Sequence, residues 1–347
     1  MKAAYLTGVR KIEIREASDP SRVDGNNVIM RVGAVGVCGS DIHYFKTGRI
    51  GSAVVQFPFI LGHECAGTIV ATGPEAKRFK PGQRVAVDPL VSCGECDQCR
   101  QHRRHTCRNQ RFLGMPGQLS GSLVELLVMP EECCYLIPDS LTTDQAAMVE
   151  PLSIGLYAVR LAGIEPGANV AILGAGPIGL STLLASRALA NCNVYVTDLL
   201  PERLRLARQL GAVWSGSPQT TDIVREIRNF EPYGVDWVFE CAGEQETLNQ
   251  GVELLKPGGT LLVIGIPESD RVSFPIHTLR RKELTVRNVR RQNDCIVDAM
   301  DLIASGQVDV SPLMTHAFPM AESQAAFDLV AEYRDGVMKA LIRTAEI

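Results

Sequence analysis

The chain has 347 residues, which is enough for a large hydrophobic core and for two domains. Apolar residues make up 46% of it and the formal net charge is −4, so no general attraction to nucleic acid or to anionic membranes is indicated. No apolar run reaches the ~18–20 residues of a membrane span, and the first residues lack the apolar stretch of a signal peptide. We therefore expect a cytoplasmic protein that binds neither nucleic acid nor membranes.

The first 35 residues contain short alternating or apolar runs, at 3–6, 11–14 and 27–32. Turn residues, among them Gly8 and the pair Asp24-Gly25, separate these runs. This pattern predicts the opening of an antiparallel, β-rich region.

A group of metal-binding side chains follows in this region. Cys38, His63 and Glu64 stand next to or near glycines in segments that we expect to be loops. One thiolate, one imidazole and one carboxylate, with room for water, are typical of an open catalytic zinc site rather than a closed structural one. Glu150 adds a further carboxylate where the β-rich region ends.

Four of the eleven cysteines lie within fifteen residues, in the pattern C-x2-C-x2-C-x7-C: Cys93, Cys96, Cys99 and Cys107. Four thiolates so close together can complete a tetrahedral shell, so we predict a structural zinc in the lobe 93–107. The same lobe carries several arginines, which leaves a nucleic-acid-binding zinc ribbon as an alternative. The small size of this patch, the acidic chain and the lack of interleaved aromatic residues argue against it. The other cysteines lack ligand spacing and are expected to be buried apolar residues: Cys65, Cys133, Cys134, Cys192, Cys241 and Cys295.

A nucleotide-binding signature begins at the apolar run 170–173, which reads as a buried parallel strand. A G-x-G-x-x-G turn follows and leads into a predicted helix at 177–190; the turn comprises Gly174, Gly176, Pro177, Ile178 and Gly179. The next predicted strand, 194–197, ends at Asp198, which is 19 residues past Gly179. This framing predicts a dinucleotide fold whose acid binds a ribose diol and repels a 2′-phosphate, which favours NAD over NADP.

The chain then alternates between predicted helices and strands, as expected for a parallel sheet built from βαβ units. Gly265 and Ile266 follow the strand 260–264 and should face the nicotinamide, because ligands lie outside the carboxyl ends of such strands. The other predictions are helices at 201–210, 222–229, 245–255 and about 295–305, and strands at 212–214, 235–239 and 283–286.

Three stretches resemble the zinc-dependent medium-chain alcohol dehydrogenases: 38–43, 62–64 and 174–179. The longer stretches 38–51 and 150–153 are similar to sorbitol and xylitol dehydrogenases in particular. The resemblance extends over essentially the whole chain. It implies an α/β protein with a β-rich, GroES-like catalytic domain at 1–152 and 288–347. The intervening residues 153–287 would form a Rossmann domain with a doubly wound parallel sheet.

The resemblance also implies roles at the metal. Cys38 and His63 would bind the catalytic zinc, with Glu64 as a ligand and Glu150 as an alternating or water-linked one. Asp41 would hold the imidazole of His63 in the right tautomer. One catalytic and one structural zinc would then be bound per subunit.

Further implied roles concern the proton and the substrate. Ser40 and His43 would relay the proton from the substrate hydroxyl to solvent, and Arg290 would contact substrate hydroxyls. Arg290 also belongs to a basic run, so a solvated surface is an alternative reading. Tyr44 and Phe112 are candidates for the lining of the substrate channel.

Two arginines complete the set. Arg203 lies five residues past Asp198 and, by the same resemblance, would touch the adenosine ribose; a plain surface arginine is the alternative. Arg291 stands where the polyol branch often has an aromatic residue, so the far end of the substrate pocket departs from that pattern.

These features together predict an NAD-dependent polyol dehydrogenase that oxidises a secondary hydroxyl to a ketose. Its partner would be a small-molecule substrate, and the resemblance implies a homotetramer. A member of the same family acting on a sugar acid, L-threonine or a simple alcohol is the first alternative. The second is a zinc-stabilised nucleotide-binding protein that has lost catalysis.

Overall fold

The computed structural model describes residues 1–20 and 22–344, which form two compact units. The first unit comprises Met1–Glu150 and Ile296–Ile347, and the second comprises Pro151–Cys295. Three residues of the expected tail segment, 345–347, lie outside the described residues. Within the described ranges, no helix is both long and apolar enough to cross a membrane.

The strands are β1 (Lys2–Gly8), β2 (Lys11–Glu16), β3 (Asn27–Gly36), β4 (Arg49–Ile50), β5 (Ala53–Val54), β6 (Phe59–Ile60), β7 (Glu64–Thr72), β8 (Arg84–Val87), β9 (Leu90–Val91), β10 (Arg111–Phe112), β11 (Leu126–Pro130), β12 (Cys134–Leu136), β13 (Asn169–Leu173), β14 (Asn193–Thr197), β15 (Trp214–Gly216), β16 (Val235–Glu240), β17 (Leu255–Val263), β18 (Thr285–Asn288), β19 (Met314–Pro319) and β20 (Lys339–Arg343). The α-helices are α1 (Gly39–Thr47), α2 (Asp97–Arg100), α3 (Thr143–Ala147), α4 (Val149–Ala162), α5 (Pro177–Ala190), α6 (Pro201–Gln209), α7 (Ile223–Phe230), α8 (Gln245–Leu254), α9 (Ile276–Lys282), α10 (Ile296–Ala304) and α11 (Ser323–Ala331).

The first unit is built around β3, the long strand that the apolar run after Asn27 predicts. β3 pairs antiparallel with β7, β11 and β20, so it lies at the centre of a seven-stranded sheet. Alternate apolar side chains of these strands enter one core, where the rings of Phe45 and Phe327 lie 5.4 Å apart. Because β20 lies in the last part of the chain, the sheet combines strands from the first and the last parts of the sequence.

The second unit is a six-stranded parallel sheet in the order β15-β14-β13-β16-β17-β18. The strand order reverses between the neighbours β13 and β16. The strands that follow β13 in the chain lie on one side of this point, and those that follow β16 lie on the other. A crevice outside the carboxyl ends of such strands is where open α/β sheets bind ligands. β13 is wholly buried from Val170 to Leu173, as its continuous apolar run predicts.

Several boundaries differ from the predicted ones; the strand predicted at 283–286, for example, is Thr285–Asn288. The strand predicted at 212–214 is formed by Trp214–Gly216, because these residues, and not Ala212, find partners on β14. The second unit extends to Cys295 rather than ending at 287. The segment after β18 stays with its sheet, since the amide of Val289 donates to the carbonyl oxygen of Val263 at 2.8 Å.

Candidate functional site

The first group of site residues is brought together by the pairing of β3 with β7. Gly36 and Glu64 are partners in this antiparallel ladder. Cys38, which follows β3, therefore lies close to His63, which precedes β7. One ligand atom each from Cys38, His63 and Glu64 lies within 4.8 Å of the other two. A thiolate, an imidazole and a carboxylate at this spacing fit a single zinc ion.

Asp41 orients two members of this group. Its two carboxylate oxygens accept hydrogen bonds from the amides of Cys38 and Gly62, both at 3.2 Å. One of them also lies 3.5 Å from Nδ1 of His63. Burial alone lowers the pKa of His63, but the charges of Asp41 and Cys38 raise it well above its usual value. The pocket therefore favours a cation at the imidazole, which is the electrostatic setting that a metal ion needs.

Glu64 has a partner that sequence reasoning missed. Nζ of Lys339 lies 2.7 and 2.6 Å from its two carboxylate oxygens and donates to the carbonyl oxygen of Val37 at 3.2 Å. Both side chains are buried, at 1% exposure for Lys339 and 0% for Glu64. The signal in the sequence was a single lysine inside the apolar run 337–342. A charged residue almost never lies in such a run unless it is paired.

Glu150 lies at the end of the first unit, in the first turn of α4, and is buried. Burial, reinforced by the neighbouring charge of Glu64, raises the pKa of Glu150 to about 7, while His63 and Lys339 act in the opposite direction. Glu150 thus belongs to the same electrostatic cluster, but it is not among the three residues whose ligand atoms meet.

The residues predicted for proton transfer and substrate contact have different surroundings. Oγ of Ser40 donates to Sγ of Cys38 at 3.4 Å, and the ring of Phe112 lies 5.4 Å from that of His63. His43 is half-buried on α1. Tyr44, by contrast, is part of the hydrophobic core of the first unit. The places of Tyr44 and Phe112 in the substrate channel stay predictions.

The second metal-binding group is the cysteine lobe. Its four sulfurs lie within 4.8 Å of one another, with neighbouring Sγ–Sγ distances of 3.4, 3.6, 3.9 and 4.0 Å. Sulfurs at the corners of a tetrahedron around zinc, with bonds of about 2.3 Å, are separated by about 3.8 Å. Backbone amides of Arg108 and Cys99 lower the pKa of Cys96 to about 6. The lobe therefore fits a closed, four-thiolate zinc site: Cys93, Cys96, Cys99 and Cys107.

Three arginines in or next to this lobe make contacts within it. Nε and Nη2 of Arg108 bind the two carboxylate oxygens of Asp97 at 2.5 and 2.9 Å. Arg104 donates to Ser92 and Arg103 donates to Gln98. These contacts hold the irregular lobe together.

In the second unit, the glycine turn has the geometry that the signature predicts. Pro177 is the first residue of α5, and Gly174 has a φ of +101°. A Cβ atom on Gly179 would lie 1.9 Å from the carbonyl oxygen of Gly174, so helix and strand approach too closely for any other residue. The start of α5 thus offers its unpaired amides beside the turn, where a pyrophosphate is bound in dinucleotide folds.

Asp198 is tied to this turn rather than free in solvent. Its carboxylate accepts hydrogen bonds from the amides of Ala175 at 2.7 Å and Leu200 at 2.9 Å. Nη1 of Arg203 lies 3.6 Å from the same carboxylate. An acid that suits a ribose diol and a cation that suits a phosphate therefore stand side by side at the end of β14.

The remaining predicted residues also lie in the second unit. Gly265 donates to the carbonyl oxygen of Glu240 at 3.0 Å, and Ile266 beside it is 46% exposed at the carboxyl end of β17. Arg290 is exposed beyond β18, and its contact with substrate stays a prediction.

Comparison with known proteins bears on this geometry. The model of the alcohol dehydrogenase GroES-like domain matches residues 24–139, and that of the zinc-binding dehydrogenase domain matches 177–305. A sorbitol dehydrogenase of Bacillus subtilis (strain 168) is 35% identical over 343 residues, which cover 99% of this chain and 97% of that protein. The chain belongs to the zinc-type alcohol dehydrogenase family. This membership confirms the resemblance and the predicted fold class, and the protein is an oxidoreductase of this family.

Other members of the family are about as similar. An L-idonate 5-dehydrogenase of Vitis vinifera is 35% identical, with 95% of this chain and 91% of that protein covered. A zinc-binding dehydrogenase of Sinorhizobium meliloti 1021, solved with NADP bound, has a TM-score of 0.90 and 32% identity, with 99% of each chain covered.

The pair of Glu64 and Lys339 generates a prediction on stability. In protein freed of metal, Lys339→Met keeps an unbranched side chain of similar length but leaves the buried carboxylate of Glu64 without its cation. We expect the free energy of unfolding to fall by about 3 kcal/mol, because breaking a buried pair leaves an uncompensated charge. Urea denaturation of purified protein measures this loss.

The matched control is the double variant Glu64→Gln, Lys339→Met, in which no unpaired charge remains. It should recover most of the lost stability. A single Lys339→Met variant as stable as the wild type would show that the pair does not hold the site.

Proposed function

We propose that the protein is a zinc- and NAD-dependent polyol dehydrogenase that oxidises a secondary hydroxyl of a sugar alcohol to a ketose. The observation that carries this proposal is the group of Cys38, His63 and Glu64, a mixed ligand set that leaves a position open for substrate. A relative named sorbitol dehydrogenase is similar to this chain over almost its whole length, which supports a sugar alcohol as the substrate.

The chemistry divides between bound groups and side chains. A zinc ion held by Cys38, His63 and Glu64 would supply Lewis acidity toward an alcohol oxygen, and a nicotinamide dinucleotide bound beside the glycine turn would supply a hydride acceptor. Asp41 fixes the ring of His63 through Nδ1, which directs the other ring nitrogen to the metal position. We propose that Ser40, whose Oγ is hydrogen-bonded to Sγ of Cys38, relays the hydroxyl proton through the nicotinamide ribose to His43 and solvent.

The ligand set also bears on the substrate. Compared with a site of two thiolates and one imidazole, a site with carboxylates binds zinc through harder oxygen donors. We propose that this suits a polyol, whose neighbouring hydroxyl can approach the metal as well. Arg290 is the residue that we propose to contact further hydroxyl groups.

A second candidate substrate class is the sugar acids. The relative named L-idonate 5-dehydrogenase is as identical to this chain as the sorbitol dehydrogenase is. The two classes share a secondary hydroxyl beside other hydroxyls and differ in one carboxylate, so an assay separates them.

The decisive assay follows NADH formation by zinc-replete protein with sorbitol, xylitol, galactitol, ribitol, a sugar acid, L-threonine and 2-butanol. We expect a polyol to give the highest kcat/KM. A clear lead of the sugar acid or of threonine would contradict the polyol proposal while leaving the zinc and dinucleotide sites in place. No turnover on the whole panel would count against an alcohol dehydrogenase acting on these substrates.

The preference for NAD is the part of the proposal that rests on Asp198. The carboxylate should repel a 2′-phosphate, whereas its neighbour Arg203 should attract one. We therefore expect Asp198→Ala to lower the ratio of kcat/KM for NAD to that for NADP by at least tenfold, about 1.4 kcal/mol.

Arg203→Ala is the matched control for this prediction, because it removes the opposite charge at the same place. It should weaken whatever use of NADP exists and leave NAD favoured. Steady-state kinetics with both cofactors give the ratios, and an unchanged ratio in Asp198→Ala would remove the carboxylate from the discrimination.

Three further expectations belong to the proposal. Two zinc ions are bound per chain, one by the open group and one by the cysteine lobe. The protein assembles as a homotetramer, as the family resemblance implies. It works in the cytoplasm.

A further inference from the structure

A short loop at the end of β16 lies at the centre of the second unit's ligand-binding edge. The amide of Cys241 donates to the carbonyl oxygen of Leu173 at 2.8 Å, so the loop begins beside the glycine turn. A Cβ on Gly174 would meet the amide nitrogen of Ala242 at 2.9 Å. On the other side, a Cβ on Gly243 would meet the carbonyl oxygen of Ile266 at 2.6 Å. The loop 241–243 is thus packed between the glycine turn and the segment 264–266.

Glu240 ties this loop in place. Oε1 of Glu240 accepts three hydrogen bonds, from the amides of Ala242 at 2.8 Å and Gly243 at 2.7 Å and from Oγ1 of Thr247 at 2.8 Å. Its main-chain oxygen accepts two more, from the amides of residues 264 and 265 at 2.9 and 3.0 Å. One residue therefore fixes the end of β16, the start of α8 and the end of β17.

This carboxyl group is costly to bury. Glu240 is 0% exposed, and Oε2 has no hydrogen-bond partner among the described residues. Burial raises the pKa of Glu240, while the amides that point at Oε1 act against this. A buried polar atom without a hydrogen-bond partner destabilises the folded state. A glutamate at this position is therefore not explained by stability alone. The three hydrogen bonds that Oε1 accepts explain how the loop 241–243 is held in place.

The position of the loop indicates which half of a bound dinucleotide it would lie beside. In a doubly wound sheet a dinucleotide lies across the point where the strand order reverses. The glycine turn follows β13 and would contact the pyrophosphate. Asp198 follows β14 and would contact the adenosine half. The other nucleotide then lies over the carboxyl ends of β16 and β17, where loop 241–243 and Gly265 meet.

We propose that Glu240 is a positioning residue for the nicotinamide half of the bound dinucleotide, which it serves by fixing the backbone of 241–243 against 264–266. Glu240 does not touch the cofactor, because its carboxyl group is buried beneath the loop. The inference rests on the proposed dinucleotide-dependent function and adds to it a residue with no charge-pairing or catalytic role of its own.

Two ligands separate the halves of the site: NADH, and ADP-ribose, which lacks the nicotinamide. We expect Glu240→Ala to raise the Kd of NADH at least tenfold and that of ADP-ribose less than threefold, measured by isothermal titration calorimetry on the full chain. Glu240→Gln is the conservative variant. It keeps the acceptor at Oε1 and should leave both Kd values within threefold of the wild type.

Thr247→Val gives a second route, because it removes one donor to Oε1 at almost unchanged volume. It should raise the Kd of NADH about threefold and leave that of ADP-ribose unchanged. If Glu240→Ala does not fold, this variant tests the role of Glu240 instead. Equal losses for the two ligands, or no loss for NADH in either variant, would overturn the proposal. Wild-type protein that binds neither ligand would instead contradict the dinucleotide site, and with it the assignment of Glu240.

Discussion

The buried ion pair between Glu64 and Lys339 is the constraint on which the first unit depends. The two residues are 275 positions apart in the chain, and both are excluded from solvent. Neither charge is acceptable in that interior without the other. The tail must therefore return to β3 and β7 before the metal-binding group is complete. The pair thereby couples the folding of the last strand to the electrostatics of the site.

The same pair shapes the metal chemistry. Lys339 holds both carboxylate oxygens of Glu64, so a cation bound by Cys38 and His63 shares that carboxylate with an ammonium group. A carboxylate shared in this way is a weaker donor than a free one, which leaves the cation more dependent on its remaining ligands. Glu150, buried in the same cluster, is the available second carboxylate.

Features specified by neighbouring residues could be predicted from the sequence. The cysteine lobe, the glycine turn and the helix Pro177–Ala190 each depend on spacing within a few residues, and the structure has them where the spacing indicates. Cys38, His63 and Glu64 were grouped by their ligand chemistry and by the family resemblance, whereas the strand pairing that brings them together cannot be predicted from either segment alone.

What escaped prediction was set by tertiary contacts. Lys339 and Glu240 carry no local motif, and their partners are known only once strands are paired. The family resemblance implied a place for Arg203 at the adenosine ribose, whereas its approach to the carboxylate of Asp198 is known only from the structure. Local chemistry was thus predictable, whereas the partners of Glu64 and Glu240 were not.

We propose that two separate groups of side chains, one open and one closed, each bind a zinc ion. Zinc content per chain, measured by mass spectrometry on the wild type, on Cys38→Ser and on Cys96→Ser, tests it most directly. The account predicts two zinc ions in the wild type and one in each variant, with reduced thermal stability chiefly in Cys96→Ser. A wild type with a single zinc ion that survives in Cys38→Ser would contradict the assignment of the open site.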